Sequence, residues 1–292
     1  MLTIFAVPKA FHGHIANIQL NAIASWTCLR PRPEIILFGD EPGSASAAQE
    51  FGARHMPAVE RNQYGTPLLH DLFAKAEQLA PEGLLCYANS DIILLDDFLQ
   101  AVERVSRAIP RFMIVGQRWD VDIRERWDFS RPYWQQDLLT LVQRQGKLAP
   151  SIAIDYFVFS KGLGHNLLPL AIGRTLWDHW LLWHARSQKA ALVDATPVIT
   201  AIHQNHDYSH YPGGREAIFR GEEARRNRAI IRDWYRLLEL EEATHRLTPD
   251  GLRPCPQGLH RWLVVKRAWS HPRGMVKLIG RTLAQSLKGP GR

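Results

Sequence analysis

Short apolar runs alternate with segments of helical periodicity through the first 116 residues. The apolar runs have the length of β-strands and cover residues 2–7, 34–38, 54–56, 84–88 and 112–116. Between them, apolar residues recur at helical spacing, as they do from Ile15 to Trp26. Strands that alternate with helices in this way predict βα units and a doubly wound, mainly parallel sheet covered on both faces.

Beyond residue 116 the alternation is less regular. We expect helices at residues 134–145 and 176–186, strands at 152–159, 192–193 and 198–202, and a long charged helix at 221–245. Thr66-Pro67 has the N-cap and N1 chemistry that predicts another helix start. Pro-Asp-Gly and Pro-Cys-Pro break the periodicity within residues 248–258. The pattern predicts one α/β domain over residues 1–247, with halves 1–116 and 117–247, followed by a tail at 248–292.

The charge is unevenly distributed along the chain. Residues 251–292 hold nine basic residues and no Asp or Glu, whereas the preceding 250 residues carry 27 basic and 29 acidic side chains. Apolar residues, among them Trp262 and Trp269, alternate with the basic ones. This pattern predicts a basic, amphipathic, helical tail suited to an anionic membrane surface, with nucleic acid as a less favoured partner.

The composition is that of an ordinary globular protein, with 46% hydrophobic and 22% charged residues among 292. No apolar run approaches the ~18 residues of a membrane span, and the N-terminus lacks the features of a signal peptide. The three cysteines, Cys28, Cys86 and Cys255, form no CxxC motif. We therefore expect a reducing cytoplasmic location, with peripheral contact to the inner face of the membrane through the tail.

Polar residues follow the predicted parallel strands, where open α/β sheets bind ligands. They are Lys9, His12, His14, Asp40, Asn89, Asp91, Gln117, Arg118 and Asp120. None belongs to a GxGxxG or GxxxxGK[ST] motif, so a glycine-rich phosphate loop is not indicated. A divalent cation held by carboxylate and imidazole could bind a diphosphate instead.

The segment CYANSDIIL places a small-residue acidic triplet between two apolar strands. It resembles the DXD region of nucleotide-sugar glycosyltransferases with the GT-A fold. The resemblance implies a GT-A-like domain in which Asp91 binds a metal, Mn²⁺ or Mg²⁺, and the diphosphate of the donor. Asn89 replaces the first acidic residue of the family's triplet. The alternative interpretation is an ordinary turn, because Asn, Ser and Asp are common turn formers.

The resemblance extends to further positions between Leu2 and Tyr208. It implies that residues 1–116 bind the nucleotide sugar, with contacts from Pro8 and Asp40 besides Asn89 and Asp91, and that residues 117–247 bind the acceptor. Asp178 corresponds to the base that activates the acceptor in inverting members of the family. The alternative for Asp178 is a helix cap, since Thr175-x-x-Asp178 is also a capping-box pattern.

A histidine-rich segment, His203-Gln-Asn-His206-Asp207-Tyr-Ser-His210, follows another apolar strand. Three imidazoles and a carboxylate within eight residues favour contact with metal or phosphate, and an exposed polar loop is the alternative. The resemblance implies that His203 or His206 is a further metal ligand.

Aromatic side chains with flanking carboxylates are typical of sugar-acceptor sites. We expect an acceptor wall of Trp119, Asp120 and Asp155, whereas the helical spacing of Trp177 and Trp180 favours core packing.

Together these features favour a metal-dependent glycosyltransferase acting on a nucleoside diphosphate sugar and a glycan or lipid-linked acceptor. A metal-dependent hydrolase centred on His203, His206, Asp207 and His210 is the second hypothesis. A non-catalytic membrane-surface protein is the third. A nucleotidyltransferase is disfavoured, because residues 8–14 lack the glycine-rich, arginine-containing loop of those enzymes.

Overall fold

The computed structural model describes residues 1–80, 83–207 and 213–255. Its strands are β1 (Leu2–Ala6), β2 (Glu34–Phe38), β3 (Arg54–Met56), β4 (Leu84–Ala88), β5 (Ile92–Ile93), β6 (Phe112–Val115), β7 (Arg118–Val121), β8 (Lys147–Leu148), β9 (Tyr156–Ser160), β10 (Ala191–Asp194), β11 (Ala201–Gln204), β12 (His245–Thr248) and β13 (Gly251–Pro254). The α-helices are α1 (Gly13–Cys28), α2 (Ser44–Phe51), α3 (Leu69–Leu79), α4 (Asp96–Ala108), α5 (Trp134–Gln145), α6 (Trp177–Ser187), α7 (Gly214–Arg220) and α8 (Glu222–Ile231).

The main sheet has the strand order β13-β12-β10-β6-β9-β4-β1-β2-β3. Its pairings are parallel except those of β9 with β4 and β6, and that of β13 with β12. The predicted α/β class with a mainly parallel, mixed sheet is therefore confirmed.

Alternating side chains of the central strands enter two separate cores, one on each face of the sheet. In β9, Phe157 and Phe159 pack on the face covered by α3 and α6, whereas Tyr156 and Val158 pack on the face covered by α1, α2 and α4. This alternation follows from the two-residue period of a strand. Helices on both faces make the sheet doubly wound, as the sequence pattern predicts.

A smaller sheet, with the order β5-β11-β7-β8, lies beyond the carboxyl end of β4. Strand β11 pairs antiparallel with β5 and parallel with β7, while β8 pairs antiparallel with β7. Helix α5 covers this sheet through Trp134, Leu138 and Val142. The small sheet therefore joins the loop after β4 to the segment that follows β11.

The predicted long helix over residues 221–245 is wrong. Helix α8 ends at Ile231, and Arg232 has a φ of 66°, which a helix interior does not allow. Two 3₁₀ turns follow, and Leu238 and Leu240 are buried in the main core. Leu238 also donates a backbone hydrogen bond to the carbonyl of His179 at 3.1 Å, so packing against α6 overrides the local helical pattern.

Two predicted boundaries also need correction. Thr66 is not a helix N-cap, because α3 begins at Leu69 and the Thr66 hydroxyl accepts a 3.1 Å hydrogen bond from Arg174 instead. The strand predicted at 152–159 begins only at Tyr156. The residues before Tyr156 leave the sheet and line a cavity described below.

The C-terminal part of the described chain continues the main sheet past residue 248. Strands β12 and β13 form an antiparallel hairpin beside β10, so residues up to Pro254 belong with the sheet, not with the predicted tail. The remaining tail residues, 256–292, lie outside the described residues, as does His210. Among the described residues, no helix is long and apolar enough to cross a membrane.

Candidate functional site

A cavity of about 670 Å³ opens where the parallel strands of the main sheet end. Its wall is formed by the loops that follow β1 and β4, by β7 and β11, by the segment before β9, and by the starts of α6 and α7. Carboxyl ends of parallel strands are the usual ligand sites of open α/β sheets. The cavity is therefore the first candidate for the functional site.

Three potential metal ligands meet at the floor of this cavity. The ligand atoms of Asp91, His203 and His206 all lie within 4.8 Å of one another. Oδ2 of Asp91 is 3.2 Å from Nε2 of His206 and 3.9 Å from Nε2 of His203. The structure thus brings together the three residues that the sequence predicts as metal ligands.

The small sheet explains why these residues meet. Asp91 ends the turn between β4 and β5, and β5 pairs with β11 so that Ile92 lies opposite His203. The buried Gln204 fixes this arrangement, because its backbone and side-chain N–H groups each lie 3.2 Å from the carbonyl oxygen of Asp91. A turn and a distant strand are thereby locked to one another.

The two imidazoles present the same ring nitrogen to Asp91. Nδ1 of His206 lies 2.7 Å from the backbone carbonyl of Asp207, which can only accept a hydrogen bond. Nδ1 of His203 lies 2.9 Å from the Oδ1 atom of Asp120. Nε2 of each ring therefore faces Asp91, and in a neutral imidazole that keeps its Nδ1 proton this atom offers a lone pair to a cation.

This donor set fits a divalent cation. Two Nε2 lone pairs and a carboxylate repel one another unless a positive charge lies between them. In addition, the buried Oδ1 atom of Asp91 has no hydrogen-bond partner among the described residues. Burial alone would raise the pKa of Asp91, but the hydrogen bond from His206 and the charges of His203 and Lys9 lower it well below the usual range. Asp91 therefore remains a carboxylate.

The first residue of the Asn89-Ser90-Asp91 triplet has a different role. The side-chain amide of Asn89 donates a 2.5 Å hydrogen bond to Asp155. Arg118 binds the other oxygen of Asp155 and also donates to Asp120 at 2.9 Å. Asn89 lines the cavity, but it supports Asp155 instead of supplying another metal ligand.

Asp178 lies on the cavity wall in the first turn of α6. The predicted capping box does not form, because the N-cap is Leu176, with a left-handed φ of 77°, and no side chain caps the helix. One carboxylate oxygen of Asp178 accepts a 2.9 Å hydrogen bond from the adjacent backbone N–H of His179. Burial raises the pKa of Asp178 above its ordinary value. A carboxylate with a raised pKa is suited to taking a proton.

Of the two further residues expected to contact the nucleotide, Pro8 and Asp40, only one lines the cavity. Pro8 lines the cavity next to Lys9. Asp40 is 74% exposed and is not part of the cavity wall, although it binds Arg61 at 2.9 Å. Its neighbour Glu41 lines the cavity and binds the same guanidinium at 2.8 Å. Sequence reasoning missed Glu41 and Arg61, whose pairing joins the loop after β2 to the loop after β3.

The expected acceptor wall is only partly present. Asp120 and Asp155 line the cavity, but Trp119 does not. Alternation along β7 directs Trp119 to the opposite face, where it packs against the core of the small sheet. The structure therefore does not place Trp119 in the expected wall. Trp177 and Trp180 are both buried in the core as predicted, and Trp177 also lines the cavity, where it packs edge-on against Tyr87.

Several charged residues of the site were not assigned from the sequence. Lys9 and Arg118 follow strands and could have been selected on that signal alone. Arg174 carries no such signal, because its partner Glu223 lies 49 residues away, and the two form a buried ion pair at 2.8 Å. Asp207, expected in a hydrolytic cluster, is exposed and contributes its backbone carbonyl to His206.

No protein-family model and no curated protein sequence matches the chain. Among solved structures, the chain is similar to glucosyl-3-phosphoglycerate synthase from Mycobacterium tuberculosis in complex with Mn²⁺, uridine diphosphate and glucosyl-3-phosphoglycerate. The identity is 14%, the match covers 81% of this chain and 80% of that chain, and the TM-score is 0.46. A mannosyltransferase from Pyrobaculum calidifontis in complex with GDP-Man and Mn²⁺ is similar over 71% of this chain and 58% of that one, with 14% identity and a TM-score of 0.44.

Proposed function

We propose that the protein is a metal-dependent glycosyltransferase that moves a sugar from a nucleoside diphosphate sugar to an acceptor hydroxyl. The observation that carries the proposal is the cluster of Asp91, His203 and His206 at the floor of a large cavity, with Asp178 on its wall. A cation bound there would neutralise the charge of a diphosphate. Asp178 supplies the second requirement of glycosyl transfer, a group that accepts the proton of the acceptor.

The metal is Mn²⁺ or Mg²⁺, and the ligand set favours Mn²⁺. Mg²⁺ prefers oxygen ligands and strict octahedral geometry, whereas imidazole is a better ligand for transition metals. Two of the three ligands in the cluster are imidazoles.

The reaction exchanges one bond to the anomeric carbon for another. The acceptor oxygen forms a bond to this carbon, the bond from the carbon to the β-phosphate oxygen breaks, and its electron pair remains on the departing diphosphate. Asp178 takes the proton of the acceptor hydroxyl. The surrounding wall also carries the apolar side chains of Ile154, Ile172 and Trp177.

The acceptor is a glycan or a lipid-linked hydroxyl compound. The apolar side chains at the cavity, including the exposed Ile152 and Phe219, suit the apolar faces of a sugar or an attached apolar group. The basic excess of residues 251–292 supports an additional contact with anionic membrane lipid.

A thermal-shift panel tests this function. Nucleoside diphosphates should stabilise the protein in the presence of Mn²⁺, and a ligand at about one hundred times its Kd adds about 2.7 kcal/mol to the free energy of unfolding. Diphosphates of uridine, guanosine, adenosine, cytidine and thymidine are compared with the parent nucleosides, each with and without metal. If none of the diphosphates stabilises the protein in the presence of Mn²⁺ or Mg²⁺, the proposed function is wrong.

A further inference from the structure

The backbone of Lys9 is held firmly at the exit of β1. The backbone N–H of Lys9 donates to Oε1 of Gln19 at 2.6 Å, and Nε2 of Gln19 donates back to the carbonyl of Lys9 at 2.9 Å. Gln19 is buried on α1, so the clamp connects the loop to the packed side of the domain. This reciprocal pair leaves the Lys9 backbone little freedom to move.

The side chain of Lys9 lines the cavity beside the cation cluster. Its ammonium group interacts electrostatically with Asp91 and Asp155, but it has no hydrogen-bond or ion-pair partner among the described residues. Burial lowers the pKa of Lys9, and its two carboxylate neighbours counteract that effect. A desolvated ammonium without a partner is costly unless a ligand supplies one.

The charges around Lys9 change when the cation site is filled. A divalent cation adds two positive charges, and Lys9 and Arg118 add one each. The carboxylates that interact with Lys9 or Arg118 are Asp91, Asp120 and Asp155, and Arg174, which also acts on Lys9, is neutralised by Glu223, so this group of residues with its cation has one positive charge in excess. Because this excess lies in a partly desolvated cavity, it favours an anionic ligand that bridges the cation and Lys9.

We propose that the Lys9 ammonium binds the diphosphate of the nucleotide. This assignment rests on the proposed function and adds a residue to it. Lys9 also stabilises the departing nucleoside diphosphate, because that product carries more negative charge than the nucleotide sugar. The residue therefore favours bond breakage as well as binding.

The test measures binding to the 292-residue chain by calorimetry at saturating Mn²⁺. The probes are inorganic pyrophosphate, the nucleoside diphosphate that binds the wild-type protein most tightly, and the corresponding nucleoside. Lys9→Met should raise the Kd for pyrophosphate and for the diphosphate about tenfold to hundredfold, because it removes a hydrogen bond to a charged group. The Kd of the nucleoside should stay within about twofold, since hydrogen bonds to phosphate are absent there.

Three control variants make the result specific. Lys75→Met removes the same charge from an ion pair on α3 outside the cavity wall and should leave all Kd values unchanged. Lys9→Arg keeps the charge and should retain most of the affinity. Lys9→Gln keeps polarity without charge and replaces the Met variant if that one does not fold.

Three results overturn the assignment. Equal diphosphate affinity in wild type and Lys9→Met shows that the ammonium does not bind phosphate, while leaving the proposed function intact. If Lys9→Met loses the same affinity for the nucleoside as for the diphosphate, Lys9 only shapes the loop and does not bind phosphate. If the wild-type protein binds no nucleoside diphosphate at all, the assignment and the proposed function both fail.

Discussion

The Nδ1 atom of His203 lies 2.9 Å from the Oδ1 atom of Asp120, its partner across the parallel pairing of β11 and β7. Arg118 donates to the same carboxylate at 2.9 Å. Metal-binding histidines usually donate their second N–H to a carboxylate or carbonyl, which fixes the ring orientation. Asp120, which the sequence suggests as an acceptor residue, thus orients a ligand of the candidate cation site.

This relationship predicts that Asp120 controls cation affinity. Asp120→Ala should weaken Mn²⁺ binding about tenfold to hundredfold without removing a direct ligand. Asp120→Asn should have a smaller effect, because its amide oxygen remains a hydrogen-bond acceptor next to Nδ1 of His203. Titration of free Mn²⁺ by electron paramagnetic resonance measures both affinities without any substrate. Unchanged Mn²⁺ affinity in the Ala variant would contradict the orienting role.

Removal of Asp91 tests the cation site directly. Asp91→Ala should abolish the Mn²⁺-dependent part of the stabilisation by nucleoside diphosphate, because it deletes the only carboxylate ligand of the cluster. Melting temperatures measured with the nucleoside diphosphate, in the presence and in the absence of Mn²⁺, give the Mn²⁺-dependent stabilisation as their difference. Asp250→Ala removes an exposed carboxylate from the β12–β13 hairpin and is the matched control. The assignment of Asp91 is wrong if its variant keeps the full metal dependence.

Asp178→Asn should separate the role of a general base from that of a helix cap. We expect transfer to fall by at least about a hundredfold, with donor affinity close to wild type, because the amide cannot accept the proton. Asp178 is not the N-cap, and the Asn side-chain oxygen can still accept the hydrogen bond from the N–H of His179, so the loss of about 1 kcal/mol that is typical of a lost cap should be absent. Normal turnover in this variant would require another base, for which Asp120, Asp155 and Asp207 are the candidates.

The raised pKa of Asp178 also predicts a pH dependence of stability. Because folding raises the pKa of this group, the folded chain holds the proton more tightly than the unfolded chain. The resulting stabilisation is complete at pH values below the pKa of the unfolded state, about 3.9. It is lost as the pH rises through the pKa that Asp178 has in the folded state. Chemical denaturation across this pH range should show that the free energy of unfolding declines less with rising pH for Asp178→Asn than for wild type. Parallel curves for the two proteins would contradict the raised pKa.

The basic C-terminal sequence gives a prediction that does not depend on the fold. Deletion of residues 259–292 should abolish sedimentation with anionic vesicles, because it removes eight of the nine basic residues after position 250. Neutral vesicles of the same size are the control. Equal binding to neutral vesicles, or tighter binding to DNA, would argue against a membrane contact.

Local patterns in the sequence were sufficient to predict most of the N-terminal half. Strands β1, β2 and β4 and helix α1 lie where the apolar runs and the helical period indicate, because each buries its apolar positions in the nearest core. The same patterns identified Asp91 at a strand exit, where a turn-forming triplet interrupts two apolar runs. These features depend on neighbours within a few residues.

Other features were decided only by tertiary contacts. His206 and Asp91 lie 115 residues apart, and the pairing of β5 with β11 brings them together. The orientation of Trp119 away from the cavity depends on which face of β7 the small sheet buries. The predicted helix at 221–245 fails because Leu238 and Leu240 gain more from burial against the main core than from continued helical hydrogen bonding. Local periodicity specifies which residues are apolar, but strand pairing and burial decide what each polar residue faces.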